Sequence, residues 1–263
     1  MIVACLKWVT HPGEPHDARF AGMSPADQSA LEFALAQSAA TGLEVTVVTV
    51  GPSAAESVLR DAVACGAHHA IRIHAPKALT SAQVAEAIAT AVPAAQWVWC
   101  GDYSLDRGTG SVPAFLAANL SAQQALGVIA VELAGDGPVT ATRRLDGGRR
   151  EVLSVAAPAV ISVEGATAEL RRAGLGALRA AAQLQIEVRQ PASAAHADDA
   201  VIHPYRPRAR ALAAPRGDSP LDRLRELTDA SGAAPAHGES VTLEPVAAAE
   251  RIVTALRTWG YLE

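Results

Sequence analysis

The stretch that decides the fold of this chain is residues 97–120, WVWCGDYSLDRGTGSVPAFLAANL. Its apolar start, residues 97–100, predicts a buried strand, and an apolar-periodic helix begins at about Ser111. Between them lies a polar loop, residues 102–110, rich in Gly, Ser and Thr. Glycines let a backbone approach an anion, and the free N–H groups and dipole of a helix start favour negative charge. The stretch therefore predicts a phosphate-binding corner, with an ordinary tight strand-to-helix turn as the alternative.

Outward from this stretch, the first half of the chain alternates between strand and helix patterns. Strands are predicted at residues 2–6, 44–50, 70–73 and 97–100. Each following helix has a start signal: Ser24 with Pro25 and Asp27, a capping box from Ser53 to Glu56, and another from Thr80 to Gln83. This order predicts an α/β fold, a parallel sheet with helices on both faces. Ligands bind beyond the carboxyl ends of such strands, so the ends at Lys7, Gly51 and Gly101 should converge on one crevice.

The second half of the chain changes pattern. Strands are predicted at residues 128–133, 139–143, 151–155 and 158–163, with a hairpin turn at 145–148, then a helix at 175–184 and a strand at 185–188. Residues 191–218 are rich in Ala, Pro and Arg and predict a linker. Residues 219–263 form a helical arm whose last helix, 244–259, places apolar residues toward a partner or its own domain: Val246, Ile252, Val253 and Leu256. The predicted division is thus 1–190, 191–218 and 219–263.

Composition excludes several classes of protein. The formal net charge of −5 argues against non-specific nucleic-acid binding. No apolar run approaches about 18 residues, so no membrane insertion is expected, and the N-terminus reads as a strand instead of a signal peptide. Three cysteines in apolar segments indicate a reduced, cytoplasmic protein, and scattered histidines disfavour a metal site.

A specific resemblance lies at the hairpin. The segment ATRRLDGGRREVL, residues 141–153, followed by PAVI at 158–161, resembles the signature of the electron transfer flavoprotein beta subunit. Only the final small position departs, with Ser162. Other segments are also similar to this family, notably Cys5-Leu6-Lys7, Ser24-Pro25 with Ala30-Leu31-Glu32, and, partly, residues 168–172 in place of an N-x-P-R-Y motif.

The resemblance implies a non-enzymatic subunit of a heterodimer. Such a subunit has an adenine nucleotide alpha hydrolase-like fold with a hairpin addition and a C-terminal arm that docks on the alpha subunit. The alpha subunit holds most of the FAD, which passes electrons from a partner dehydrogenase to a downstream quinone oxidoreductase. The beta subunit buries one structural AMP, and in bifurcating members a second FAD takes that place.

Carried over position by position, the resemblance assigns the AMP pocket to the first and second strand ends, the first helix start and the loop before the fourth helix. Its phosphate would lie against the N–H groups of residues 108–111, and Arg107 is either an added charge or a surface arginine. The expected pocket residues are Cys5, Ser24, Pro25, Ala26, Asp27, Val50, Asp106, Arg107, Gly108, Thr109, Gly110, Ser111, Val112, Pro113 and Ala114.

Departures from the family pattern also carry expectations. Pro12 and Ala26 stand where some members bring an aromatic toward the flavin, which implies a weaker flavin contact or a changed redox potential. The loop between Asp106 and Thr109 is about two residues shorter than in the family. The Ala-rich composition suggests a specialised actinobacterial paralogue, such as a mycofactocin-associated one, although no residue points to it.

Leu175 matches the family's recognition leucine, which inserts into the partner dehydrogenase. The alternative is a core residue at the entry of a helix. Flanking Gly174 and Gly176, together with a basic pair at 171–172, favour an exposed anchor.

The sequence leaves two other functions open. A stand-alone adenine-nucleotide sensor of the universal-stress type would use the same crevice without a flavin partner, and ATP would be its ligand. A catalytic role would rest on Asp102, Asp106 and Ser111, but no base–nucleophile pair with an orienting group is evident. The hairpin signature and the C-terminal arm favour the electron carrier.

Overall fold

The computed structural model describes residues 1–10, 18–75, 79–135, 137–191, 214–228 and 241–262. These residues belong to two compact units, Met1–Asp199 and Ala200–Glu263. Most of the predicted linker lies outside the described residues, as does Pro12. The three-part division of the chain therefore stays a prediction.

The first unit alternates strand and helix and then turns to β structure. Its alternating half is β1 (Ile2–Cys5), α1 (Pro25–Thr41), β2 (Val45–Gly51), α2 (Glu56–Ala64), β3 (His69–His74), α3 (Ser81–Ala91), β4 (Trp97–Gly101) and α4 (Val112–Asn119). The remainder is β5 (Gln123–Glu132), β6 (Val139–Arg144), β7 (Arg150–Val155), β8 (Ala159–Val163), α5 (Leu175–Ala182) and β9 (Glu187–Arg189).

All strands of the described chain join one sheet in the order β7-β6-β5-β8-β4-β1-β2-β3-β9. Along this order, all neighbouring strands between β5 and the edge strand β9 are parallel. At the other edge, β6 is antiparallel to both β5 and β7. The predicted α/β class and the hairpin addition are confirmed. From β1 the chain moves to β2 and β3 on one side and then places β4 on the other. The resulting switch point between β1 and β4 is where such sheets bind ligands.

Helices cover both faces of the sheet. One apolar cluster joins Leu31 and Leu35 of α1 and Leu59 of α2 to the sheet, and the opposite cluster joins Ile88 of α3 and Leu116 of α4 to it. The largest fully buried side chain, Trp99, stacks on Phe33 with ring centroids 5.3 Å apart. Its indole N–H donates to Gln37 Oε1 at 2.9 Å, so the polar atom of this buried ring is satisfied.

Two of the three predicted helix starts are confirmed. The Ser24 hydroxyl accepts from the Asp27 N–H with Pro25 in the first turn, and Thr80 forms a full capping box with Gln83. The box predicted at Ser53 is wrong. Residues Ser53–Ala55 form a separate 3₁₀ turn, and α2 begins after it without a side-chain cap. The Glu56 carboxylate instead accepts from Arg60 and from the buried Arg72, a tertiary partner that local sequence does not reveal.

The second unit is described at two helices, α6 (Pro220–Leu227) and α7 (Pro245–Thr258). Ser219 caps α6, since its hydroxyl accepts from the Asp222 N–H at 3.1 Å. Neither helix contains a buried residue. None of the helices described in either unit is long and apolar enough to cross a membrane.

Candidate functional site

A cleft of about 370 Å³ opens at the carboxyl ends of β1, β2 and β4, at the switch point of the sheet. Cys5, Val50 and Cys100 form its floor, because each is the last or next-to-last residue of its strand. The loop after β4 and the start of α4 close one side, and α3 supplies an apolar wall. The three strand ends predicted to converge do so.

The structure brings most of the predicted pocket residues to this cleft. Those that line it are Cys5, Asp27, Val50, Asp106, Arg107, Thr109, Gly110, Ser111, Val112 and Pro113. Ser24, Pro25, Ala26, Gly108 and Ala114 do not line it. Ser24 caps α1 instead, and Gly108, at φ 62°, closes a turn by donating its N–H to the Ser104 carbonyl. Whether any of these residues binds a cofactor stays a prediction.

Sequence reasoning missed the wall that α3 contributes. Leu79 and Ser81 at the helix start, with Val84 and Ile88 one and two turns later, face the cleft together with Ala75 after β3. The signal was present, because 81, 84 and 88 follow helical spacing on one face. Only the known order of strands, however, shows that this helix packs on the same face of the sheet as α4.

An ion pair joins the end of β1 to the loop over the cleft. Lys7 Nζ lies 2.7 Å from both carboxylate oxygens of Asp106 and 3.3 Å from Ser104 Oγ. Partial burial alone would raise the pKa of Asp106, but hydrogen bonds from Lys7, Ser104 and the Arg107 N–H outweigh it and lower the pKa to about 2. Asp106 is therefore ionised at neutral pH and already paired.

A second bond holds the same loop from the opposite side. The Arg107 guanidinium donates to the Leu79 carbonyl at 2.8 Å, next to the start of α3. The loop thus connects β1 and α3 through two consecutive residues, Asp106 and Arg107. Arg107 is therefore not a free surface arginine. Its bond to Leu79 uses only part of the guanidinium, which has further N–H donors.

The backbone at the start of α4 presents unpaired donors. Within the described part of the chain, the N–H groups of Thr109, Gly110, Ser111 and Val112 donate to no protein acceptor. Gly110 has φ 57°, and a Cβ there would lie 2.4 Å from the Asp102 carbonyl, so glycine is required. Free N–H groups at a helix N-terminus form an anion-binding cradle.

Asp27, in the first turn of α1, is the buried acid of the site. It is 7% exposed, and its Oδ2 accepts the Lys7 N–H at 3.1 Å. Burial raises the pKa of Asp27 to about 7, and hydrogen bonds from the Lys7 N–H, Ser24 and the Gly101 N–H only partly offset this. Gly101 approaches closely, because a Cβ there would lie 2.6 Å from Asp27 Oδ1. Asp27 therefore joins α1 to the ends of β1 and β4.

Leu175 lies outside the cleft, at the first residue of α5, and its side chain is 67% exposed. The core interpretation of Leu175 is wrong. Leu178, one turn later, is also exposed, at 42%. The start of α5 therefore offers an apolar surface, and whether a partner binds it stays a prediction.

The structure is thus a doubly wound α/β domain with a cleft at its switch point. Comparison with known proteins adds the family. Residues 17–194 match the family model of the electron transfer flavoprotein domain. The chain belongs to the electron transfer flavoprotein beta subunit family.

Individual relatives span most of the chain. The electron transfer flavoprotein subunit beta of Chromohalobacter salexigens is 30% identical over 243 residues, 88% of this chain and 86% of the relative. Protein FixA of Rhizobium meliloti is 30% identical over 229 residues, 79% of this chain and 78% of the relative. The subunit beta of Thermoanaerobacterium thermosaccharolyticum is 32% identical over 145 residues, but this match covers only 55% of that relative.

Proposed function

We propose that this chain is the beta subunit of a heterodimeric electron transfer flavoprotein. It carries electrons from a dehydrogenase to a quinone oxidoreductase and catalyses no reaction of its own. The observation that carries the proposal is the match of residues 17–194 to the electron transfer flavoprotein domain. FAD, held mainly by the alpha subunit, supplies the redox chemistry.

The cleft of this subunit holds AMP with a structural role. Its volume of about 370 Å³ is within the usual range for small-ligand pockets. The apolar floor and the α3 wall suit an adenine ring, and the free N–H groups of Thr109 to Val112 suit a phosphate. Lys7 is already paired with Asp106, so one phosphate fits this cradle better than a longer, more highly charged chain.

The apolar residues of α6 and α7 are the surface that docks on the alpha subunit. Leu221, Leu224 and Leu227 are between 54% and 60% exposed, and Val246 and Ile252 are 73% and 60% exposed. Helices with so much exposed apolar surface are typical of a protein that binds another chain. Leu175, in turn, is the anchor for the dehydrogenase.

Co-expression with an alpha subunit tests the assembly. We expect a yellow one-to-one heterodimer, whereas the chain alone should be poorly soluble. Mass spectrometry of the denatured heterodimer should release one AMP and one FAD. Two FAD per heterodimer would replace the AMP assignment by a second flavin. A well-behaved colourless monomer that retains ATP would favour the nucleotide-sensor alternative.

A pair of glycine variants tests the cradle. Gly110→Ala places a methyl group against the Asp102 carbonyl and should abolish AMP retention. Gly147→Ala is the matched control, because Gly147 also has a positive φ, of 71°, but nothing lies within 4 Å of the added Cβ. Both variants carry similar backbone strain. Equal loss of AMP in the two would contradict the proposed cradle.

A further inference from the structure

The segment that precedes Leu175 is attached to α1 by a set of bonds over a large sequence separation. Arg171 contacts Glu32 through its N–H at 3.0 Å, through Nε at 3.2 and 3.0 Å, and through Nη2 at 2.7 Å. Both carboxylate oxygens of Glu32 are used. A guanidinium and a carboxylate paired in this way have a fixed relative orientation.

Neighbouring contacts extend the same attachment. Ser29, one turn before Glu32 on α1 and fully buried, donates to the Ala168 carbonyl at 2.9 Å and accepts from the Ala168 N–H at 3.3 Å. The Cys65 thiol contacts the Arg171 carbonyl at 3.4 Å. Leu170 packs partly buried against the core. The segment is thus held at Ala168, Leu170 and Arg171.

After Arg171 these attachments stop. Gly174 caps α5 without a side-chain hydrogen bond, and a Cβ at Gly174 or Gly176 would meet nothing within 4 Å. Helix α5 packs on α2, and its buried residue, Ala181, lies near the far end and is 4% exposed. Arg171 is therefore the last residue before Leu175 that is bonded to another element.

We propose that Glu32, through its bidentate pair with Arg171, is a positioning residue that orders the first turn of α5 and so presents Leu175 to the dehydrogenase. This inference rests on the proposed function. Glu32 does not line the cleft, and it acts by fixing Arg171. Without the pair, the leucine anchor has to be ordered at the moment of binding, which lowers affinity.

Burial and charge agree with this role. Glu32 is the less exposed partner, with 19% of its side chain accessible against 43% for Arg171. Partial burial would raise the pKa of Glu32, but the hydrogen bonds from Arg171 outweigh it and lower the pKa. The pair is therefore ionised throughout the neutral range, and docking should not change with pH through this pair.

The test compares heterodimers that carry Glu32→Gln, Leu175→Ala and both changes. In Glu32→Gln we expect amide hydrogen exchange in residues 172–178 to rise about tenfold, since local opening becomes easier. With a dehydrogenase that reduces the wild-type flavin, KM for the heterodimer should rise about fivefold with kcat unchanged. The double variant should be no weaker than Leu175→Ala alone, because Glu32 acts through that leucine.

Two further variants make the result specific. Glu44→Gln changes a more exposed side-chain contact, with His69, before the start of β2, and should leave exchange and KM unchanged. The double exchange Glu32→Arg with Arg171→Glu should restore part of the affinity. Additive losses in the Glu32/Leu175 double variant, or unchanged exchange in Glu32→Gln, would overturn the positioning role. A wild-type heterodimer that no dehydrogenase reduces would instead overturn the proposed function, and the docking role with it.

Discussion

Helices α1 and α7 are similar in composition but differ in burial. Both begin with a proline in the first turn and both combine alanines with aliphatic residues. Yet α1 buries Leu31 and Leu35 among others, whereas α7 contains no buried residue and leaves Ile252 60% exposed. The comparison teaches that an apolar helical stripe predicts a buried face without stating which chain buries it. For α1 it is this chain, and for α7 the proposal assigns the alpha subunit.

The largest effect should come from the buried side of this comparison. Leu31 is fully buried in α1, so Leu31→Ala should lower the free energy of unfolding by about 2–5 kcal/mol through lost contacts and the cavity left behind. Thermal and urea unfolding of the heterodimer measure it. A loss below about 1 kcal/mol would mean that α1 is packed far more loosely than the structure indicates.

Asp27 at the start of α1 gives a pH-dependent effect of a similar order. The pKa of Asp27 in the folded protein is about 7, whereas that of an aspartate free in solution is 3.8. Between these values the folded state binds more protons, so the free energy of unfolding should fall as pH rises, by up to about 4 kcal/mol. Asp27→Asn stays neutral and should remove this fall in urea titrations between pH 4 and 8.

Asp106 provides a control of opposite sign. Its pKa in the folded state is lowered to about 2, so its ion pair contributes stability above about pH 4 that is lost as pH falls toward 2. Asp106→Asn should therefore flatten the acid limb and leave the slope between pH 4 and 7 in place. If the dependence of stability on pH is the same in Asp27→Asn as in the wild type, Asp27 is ionised from low pH and does not cause the fall.

The contrast between local and distant determinants also explains how far the sequence predicts this molecule. The start of α1 was predictable from Ser24, Pro25 and Asp27, because capping involves neighbours in the chain. The first part of β5, residues 123–127, was not, since its polar and glycine residues become a strand only by pairing with β8. Lys7 and Asp106 meet across 99 positions, and no local pattern announces that pair.

Most of the candidate site was predictable for a single reason. Strand ends converge once the order of elements is known, so the sequence alone places Cys5, Val50 and Gly101 together. The contributions of α3 and of the loop after β4 to the cleft depend on the directions of their side chains. For that reason the α3 wall and the Arg107 bond to Leu79 could be found only in the structure.

The exposed side of the comparison predicts an intermediate effect on assembly. Ile252→Asp in α7 should weaken the heterodimer by about 2 kcal/mol or more, which is roughly thirtyfold in Kd, because a charge would be buried at the interface. Thr254→Asp adds the same charge on about the opposite helix face and should change Kd little. Analytical ultracentrifugation over a dilution series measures both. Equal weakening by the two changes would contradict the assigned face.

The smallest effect on stability should come from Leu175. Leu31→Ala and Leu175→Ala remove the same atoms, but Leu175 is 67% exposed and loses almost no neighbour in the free heterodimer. We expect its free energy of unfolding to change by less than about 0.5 kcal/mol, with flavin content unchanged. Affinity for the dehydrogenase should nevertheless fall by roughly thirtyfold, since a central anchor contributes about 2 kcal/mol. One thermal melt and one coupled electron-transfer assay separate the two quantities. A variant that melts like wild type and still couples to the dehydrogenase would remove Leu175 from the docking surface, and with it the idea that every uncovered apolar side chain in this subunit awaits a partner.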